Sequence, residues 1–179
     1  MHNNKELARK ALESLYAEFD LAKNLKHSNI VQYKYFMKKY DRASKMHELH
    51  IIMEFVDGSD LTNYMKANEG SNHIEKVRKL GGQLISSIKY LHEFSIAHLD
   101  LNPNNIMLTR DEENVKLIDL GISRRLESVK HTISQQFTPR YQSPGQIRGQ
   151  LSTKADIWSF GCVLLHFATG IRPYANVKI

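Results

Sequence analysis

The sequence predicts an α+β fold of two lobes: a small lobe of one helix and a strand pair, then a larger, mainly helical lobe. Three observations carry this expectation. Apolar residues recur at three- and four-residue steps over 5–26 and again over 73–95, the signature of amphipathic helices. Two runs between them, 29–38 (NIVQYKYFMK) and 48–56 (ELHIIMEFV), are rich in β-branched and aromatic residues and read as paired strands. A last segment, 154–169 (KADIWSFGCVLLHFAT), is apolar nearly all round and so reads as a buried helix.

In the first helix the apolar stripe is Leu12, Leu15, Phe19, Ala22 and Leu25. A polar link joins the two strands. DGSD, residues 57–60, is a turn, and Asp60 is suited to cap a helix that starts at Leu61. Over 73–95, Val77, Leu80, Leu84, Ile88 and Leu91 share one face, while the pair Gly81-Gly82 lowers helix propensity but permits close packing. From residue 96 the apolar pieces shorten and are broken by Asp, Asn and Pro, which predicts small strands and loops. Residues 122–152 are polar without periodicity and are predicted to form a long surface loop. Gly170 is placed to end the last helix. The lobe boundary falls after the second strand, giving 1–56 and 57–179.

Composition narrows the function classes. At 179 residues the chain is one domain of ordinary size, and an apolar fraction of 41% is enough for a real core. A net charge of +6 raises the question of an anionic partner, but no Lys/Arg run exceeds two residues and no aromatic-and-basic platform is present, so nucleic-acid binding is not expected. The single cysteine, Cys162, excludes an internal disulfide, fits a reducing compartment and reads as a small core residue. No apolar run approaches a membrane span, and MHNNKELARK lacks the apolar stretch of a signal peptide. The expectation is an intracellular, cytoplasmic protein without a membrane partner.

Chemistry concentrates in residues 98–121, HLDLNPNNIMLTRDEENVKLIDLG. Asp100 and Asp119 stand nineteen apart, with Asn105 between them, and each acid is set among apolar residues. A buried carboxylate is costly unless it is paired, hydrogen-bonded or bound to a cation. On one reading Asp100 and Asn105 cap turns around Pro103, while Asp119 opens a turn with Gly121. On the other the three residues form a site.

The HxDxxxxN spacing at 98–105, followed by the DxG triplet at 119–121, resembles the catalytic and metal-binding loops of the eukaryotic protein kinase family. The resemblance extends through LKHSNIVQY (25–33), HIIMEFVDGSDL (50–61), TPRYQSP (138–144), DIWSFGCVLL (156–165) and GIRPY (170–174), so it covers about residue 10 to residue 174. Thr138 in TPRYQSP is more typical of Ser/Thr members than of Tyr members. The resemblance implies a protein-kinase-like two-lobe fold whose small lobe is incomplete, a C-helix plus strands. It implies transfer of the ATP γ-phosphoryl group to a Ser or Thr of a protein substrate, with Mg²⁺. It makes Asp100 the base, and Asn105 and Asp119 the metal ligands. It makes Glu18 the ion-pairing acid of the C-helix and Met53 the gatekeeper. The Glu54 carbonyl and Val56 amide would face adenine, Asp60 would lie near the ribose, and Met107 joins the nucleotide-binding set with Asp119. His98 would pack against Leu120, and Asp156 would support the catalytic-loop backbone.

Several positions depart from the family pattern. The nine glycines never form GxGxxG, and no VAIK-like strand is present. Lys5, thirteen residues before Glu18, is the one candidate for the strand lysine, and the reading as a solvated lysine at a helix start is favoured over it. Leu99 stands where the family has an Arg that commonly receives an activation-loop phosphate. Thr132 and Ser134, as phosphorylation sites, therefore have no evident receptor. Asn102 takes the catalytic-loop position usual for Lys, and Gly145 replaces the Glu of the APE motif. These departures keep an alternative open: a catalytically impaired pseudokinase that acts as a scaffold or interaction module. They also imply a partner, or a neighbouring chain segment, covering apolar surface of the last helix.

Overall fold

The computed structural model describes residues 2–42, 46–69, 74–121, 123–125 and 138–175. Helix α1 (His2–Ala22) lies against an antiparallel pair, β1 (Tyr33–Asp41) and β2 (Met46–Met53). The rings of Tyr16 and Phe19 meet Phe36 at centroid distances of 5.5 and 5.8 Å. The helix ends at Ala22 rather than near residue 26, although Leu25, in the connection that follows, stays buried. Burial therefore continues the helical stripe after the helical hydrogen bonds have stopped.

The stretch before β1 joins the small lobe to the large one. The Val31 amide donates to the Leu117 carbonyl at 2.9 Å, and the Leu117 amide donates to the Asn29 carbonyl at 2.8 Å. Past residue 53 the chain enters β3 (Gly58–Asp60), then α2 (Leu61–Ala67) and α3 (Ile74–Glu93). Asp60 caps α2 as its sequence position suggests: its carboxylate accepts the Asn63 amide at 2.8 Å. After β4 (Ile96–Ala97), a 3₁₀ turn at Pro103–Asn105 leads into β5 (Ile106–Thr109) and β6 (Val115–Leu117). β5 is the centre of a three-stranded antiparallel sheet ordered β3-β5-β6. β7 (Arg124–Arg125) returns to pair with β4. One core cluster runs from Ala22, Val31 and Tyr33 through Leu84 and Leu117 to Phe167, so it spans residues on both sides of residue 56.

The predicted surface loop at 122–152 is wrong for its second half. A 3₁₀ turn (Pro139–Tyr141) and helix α4 (Pro144–Ile147) stand there, with Tyr141 and Gln146 buried. Local chemistry rather than apolar periodicity builds them. Pro139 and Pro144 supply the preset φ of a first helical turn. Ser143 and Gln146 form a reciprocal capping box. Residues 126–137, with Thr132 and Ser134, lie outside the described residues.

Helix α5 (Thr153–Thr169) ends at Gly170, whose φ of +69° suits a residue without a side chain. It was expected to be buried, and Ala155, Val163 and Phe167 are. Ile157, Trp158 and Leu165 are instead 48%, 40% and 56% exposed, because α3 packs against one side of the helix only. Among the described residues no helix is long and apolar enough to cross a membrane.

The glycine pair on α3 divides in function. A Cβ at Gly81 would come within 3.1 Å of Leu164 on α5, whereas a Cβ at Gly82 would meet nothing within 4 Å. Close approach therefore needs the first glycine and not the second. Gly82→Ala should stabilise the protein by about 0.5–1 kcal/mol through helix propensity alone. Gly81→Ala should gain less or lose, because Leu164 must move. Urea denaturation of both variants measures the difference, and equal gains would show that the α3–α5 contact does not depend on Gly81.

Candidate functional site

The loop at 98–105 is held from beneath by one carboxylate. Asp156, in the first turn of α5, is fully buried. It accepts the His98 amide at 2.9 Å, the Leu99 amide at 2.8 Å and His92 Nε2 at 2.8 Å. Gln146 Nε2 donates to the Leu99 carbonyl at 2.7 Å, so Leu99 is fixed through both its amide and its carbonyl. Leu99 itself has φ +68°, a region that branched L residues avoid. Its side chain is 2% exposed and packs with Ala97, Ala155 and Leu151. The position expected to lack a phosphate-receiving Arg thus carries an apolar anchor.

Asp100 follows this turn. One oxygen, Oδ1, accepts the Thr138 amide at 3.0 Å, and the other accepts Asn105 Nδ2 at 3.1 Å. Asn105 Nδ2 also donates to the Asp100 carbonyl at 2.9 Å. Asn102 Nδ2 bridges the Asp100 carbonyl (2.9 Å) and Thr138 Oγ1 (3.1 Å), while its Oδ1 caps the 3₁₀ turn at the Asn104 amide. The turn at Pro103 is thus capped by Asn102 rather than by Asp100 or Asn105, while Asp119 does open a turn onto the Gly121 amide, and Asp100 is oriented by two N–H donors from different segments.

Asn105 and Asp119 sit at the same end of the β5–β6 hairpin. The ladder continues past Ile106 and Leu117 through a bond from the Ile118 amide to the Asn105 carbonyl at 2.9 Å. Asn105 is buried, and its side-chain oxygen accepts no hydrogen bond among the described residues. Asp119, at φ +61°, turns one oxygen onto the Gly121 amide at 2.9 Å. The two residues offer hard oxygen donors, the type Mg²⁺ selects. Among the described residues no group of three His, Cys, Asp or Glu gathers into a complete metal cage. A Mg²⁺ ion there would be held by Asn105 and Asp119, with substrate phosphates and water filling the rest of its shell.

Glu18 on α1 reaches the same segment. Its Oε1 accepts the Tyr33 hydroxyl at 2.8 Å, and that hydroxyl accepts the Leu120 amide at 3.2 Å. A Cβ on Gly121 would meet Asp119 Oδ1 at 2.9 Å and Glu18 Oε2 at 3.3 Å, so the two carboxylates flank this glycine closely. Burial pushes the Glu18 carboxyl above its usual range, the Tyr33 bond partly opposes this, and the Asp119 charge adds to it. Burial likewise pushes the Tyr33 phenol well above its ordinary value. No Lys or Arg pairs with Glu18 among the described residues. Lys5 stands at the start of the same helix, about 20 Å away along its axis, and so is not that partner. Tyr33 was not singled out from the sequence. Its signal was a residue with a polar tip in the apolar stretch NIVQY.

The remaining predicted positions lie on β2, the connection after it, β3, the linker from β4 to the 3₁₀ turn, and β5. Met53 ends β2 and is 42% exposed. Glu54 Oε1 accepts the Gln32 amide at 2.9 Å and Lys116 Nζ at 2.6 Å. Burial would raise its carboxyl, but the bonds and charge of Lys116 outweigh that and hold it below the usual range. Val56 packs partly against the core. Among the described residues, the Glu54 carbonyl and the Val56 amide make no backbone hydrogen bond. Asp60 is committed to Asn63 through both oxygens, at 2.8 and 2.5 Å. Met107 points to the opposite face of β5 from the buried Ile106 and Leu108. His98 is fully buried: Nδ1 accepts the Asp100 amide at 3.3 Å, and Nε2 has no partner among the described residues. The loop before Asp100 and the segment after Gly121 are tied by Ser123 Oγ, which donates to the His98 carbonyl at 3.2 Å, and by β4–β7 pairing.

Comparison with known proteins gives the family. The model of the protein kinase domain family matches residues 1–179. The chain is 35% identical over 170 residues to MAP3K epsilon protein kinase 1 of Brassica napus, covering 93% of this chain and 12% of that protein. It is 33% identical over 177 residues to Serine/threonine-protein kinase ULK3 of Homo sapiens, covering 96% of this chain and 35% of that protein. It is 36% identical over 160 residues to Serine/threonine-protein kinase PrkC of Bacillus subtilis (strain 168), covering 88% of this chain and 24% of that protein. The chain thus spans between 12% and 35% of the length of these curated relatives.

Two outcomes follow for the buried acids. Asp156→Ala leaves two buried N–H groups without their acceptor, at about 1–3 kcal/mol each, so it should destabilise the protein by roughly 2–6 kcal/mol in urea denaturation. A loss below about 1 kcal/mol would show that the loop holds its own shape. Glu18 has a higher pKa folded than unfolded, so its ionisation costs stability at pH values above the reference 4.5. Glu18→Gln should therefore be more stable than the parent at neutral pH. That gain should shrink as the pH falls through the raised folded pKa, and vanish below the reference value. A variant less stable than the parent at neutral pH would show that the Tyr33 bond outweighs the burial cost.

Proposed function

The chain belongs to the protein kinase family, and on that premise we propose that it transfers the γ-phosphoryl group of ATP to a Ser or Thr hydroxyl of a protein substrate. The observation that carries this reading is the Asp100 carboxylate, oriented by the Thr138 and Asn105 donors beside the Asn105–Asp119 pair. In the reaction the substrate hydroxyl oxygen forms a bond to the γ-phosphorus, the bond from that phosphorus to the bridging oxygen of ADP breaks, and the hydroxyl proton passes to Asp100. Each Asp100 oxygen accepts one N–H and keeps a further lone pair for that proton. Asn105 and Asp119 would hold the Mg²⁺, which when bound neutralises charge on the phosphates.

Asn102 keeps Asp100 and Thr138 in register without contributing a charge. Less electrostatic stabilisation of the transferring group means slower transfer. A second reading, a binding module without turnover, is favoured by Glu18, which faces Asp119 with no cation between them among the described residues.

Full-length protein distinguishes the two. Asp100→Asn should lower phosphoryl transfer from labelled ATP by about 10²–10⁴-fold while leaving Mg²⁺-ATP binding intact in a thermal-shift titration. Asp119→Asn should weaken that binding. A parent protein that neither shifts with Mg²⁺-ATP nor transfers phosphate would sink the enzyme reading and leave the module.

A further inference from the structure

Beside the catalytic loop lies an open groove of about 490 Å³. Its charged and polar lining comes from four segments: Lys66 on α2, Asn104 on the 3₁₀ turn, Thr138 and Arg140 on the TPRY segment, and His166 with Arg172 around the end of α5. Among the described residues no Asp or Glu lines it. An adjoining cavity of about 340 Å³ shares Lys66, His166 and Arg172, and among the described residues Glu69 is the one acid on its wall.

The cations here differ from several others that are neutralised by a carboxylate. Lys23, Lys76, Lys79 and Lys116 each meet a carboxylate. Lys66 and Arg172 are exposed and have no ion pair among the described residues. Arg140 donates to the carbonyls of Tyr174 at 2.6 Å and Pro173 at 3.3 Å, which fixes its guanidinium without cancelling its charge. The wall is also prebuilt. Thr62 Oγ1 donates to Asn104 Oδ1 at 2.7 Å, which ties α2 to the catalytic loop. Tyr141 and His166 are joined at 2.8 Å, which ties the TPRY segment to α5. Three unpaired cations on a fixed concave wall create a field that draws anions. Thr138 connects that wall to the reacting centre, since its amide binds Asp100.

We propose that this groove selects acidic protein substrates: a carboxylate or phosphate on residues flanking the accepted Ser or Thr docks against Lys66, Arg140 and Arg172. The inference rests on reading Asp100 as the base, which puts the accepted hydroxyl beside Thr138. It adds a substrate class to that reading.

Fluorescence anisotropy on full-length protein tests it without any need for turnover. The probes are labelled peptides with one central Ser, flanked by Glu, by phosphoserine, by Ala or by Lys, together with a single-stranded oligonucleotide. The Glu and phosphoserine peptides should bind about tenfold tighter than the Ala peptide at low salt, as expected for two or three exposed ion pairs, and should weaken with added salt. Phosphoserine above Glu would assign the groove to substrates already phosphorylated nearby, and equal affinities to acidic side chains. Lys66→Gln and Arg172→Gln, both at exposed positions, should each weaken Glu-peptide binding about two- to fivefold and leave the Ala peptide unchanged. Equal binding of Ala and Glu peptides, preference for the Lys peptide or the oligonucleotide, or unchanged affinity in both variants would overturn the proposal. Phosphoryl transfer measured on the same peptides separates the two readings. Transfer without acidic preference refutes the groove alone. Acidic-peptide binding without transfer retains the groove and refutes the enzyme.

Discussion

A buried carboxylate with no hydrogen-bond donors would not survive in this core, and Asp156 is fully buried. It has a set of donors that only one chain path can supply: two successive backbone amides, of His98 and Leu99, and the ring of His92. Two consecutive amides aimed at one carboxylate force the chain between them to turn, and the turn falls on Leu99, at φ +68°. A strained conformation of this kind persists only where the surroundings over-determine it. Gln146 closes on the Leu99 carbonyl and the Leu99 side chain fills an apolar niche, which completes that demand. Asp100 points where it does because its predecessor has no other place to go. The partial positive charge at the start of α5 adds a favourable term for the carboxylate of Asp156.

The sequence makes some of this legible and hides the rest for identifiable reasons. The helices announce themselves through periodicity, and the cap at Asp60 through its residue type. The HxDxxxxN and DxG spacings mark the loop at 98–105 and the Asn105–Asp119 end of the hairpin, because bringing those side chains together needs fixed offsets along one turn-strand-turn-strand unit. The segment 138–152 does not announce itself. Its burial comes from single contacts such as Gln146 to Leu99 and Ser159 to the Tyr141 carbonyl, each linking residues far apart in sequence, and no local pattern encodes them. Tyr33 was hidden by its chemistry. A tyrosine in an apolar strand reads as a packing residue, and its hydroxyl acquires a role only when α1 and the DLG turn arrive on either side. On α5 the apolar composition alone reads as burial all round, whereas the departures from the family pattern point to uncovered apolar surface, and Ile157, Trp158 and Leu165 are exposed.

The distribution of charge around the site follows one pattern. Among the described residues a neutral phenol meets Glu18, and a neutral amide meets the Asp100 carbonyl. Each also reaches a second segment, the phenol by accepting the Leu120 amide and the amide by donating to Thr138 Oγ1. Neither carries a charge. A bond from a neutral donor to a carboxylate is charge-assisted on one side only, without the attraction of a full ion pair. Glu18 therefore holds α1 to the DLG turn less firmly than an ion pair would, and it carries the desolvation cost of a half-buried carboxylate beside a second acid. The uncompensated positive charge lies further out, on Lys66, Arg140 and Arg172. On the proposed reading, this balance of charge favours gripping an acidic protein chain over hastening phosphoryl transfer, and a cation at the Asn102 position is the change that would raise the rate.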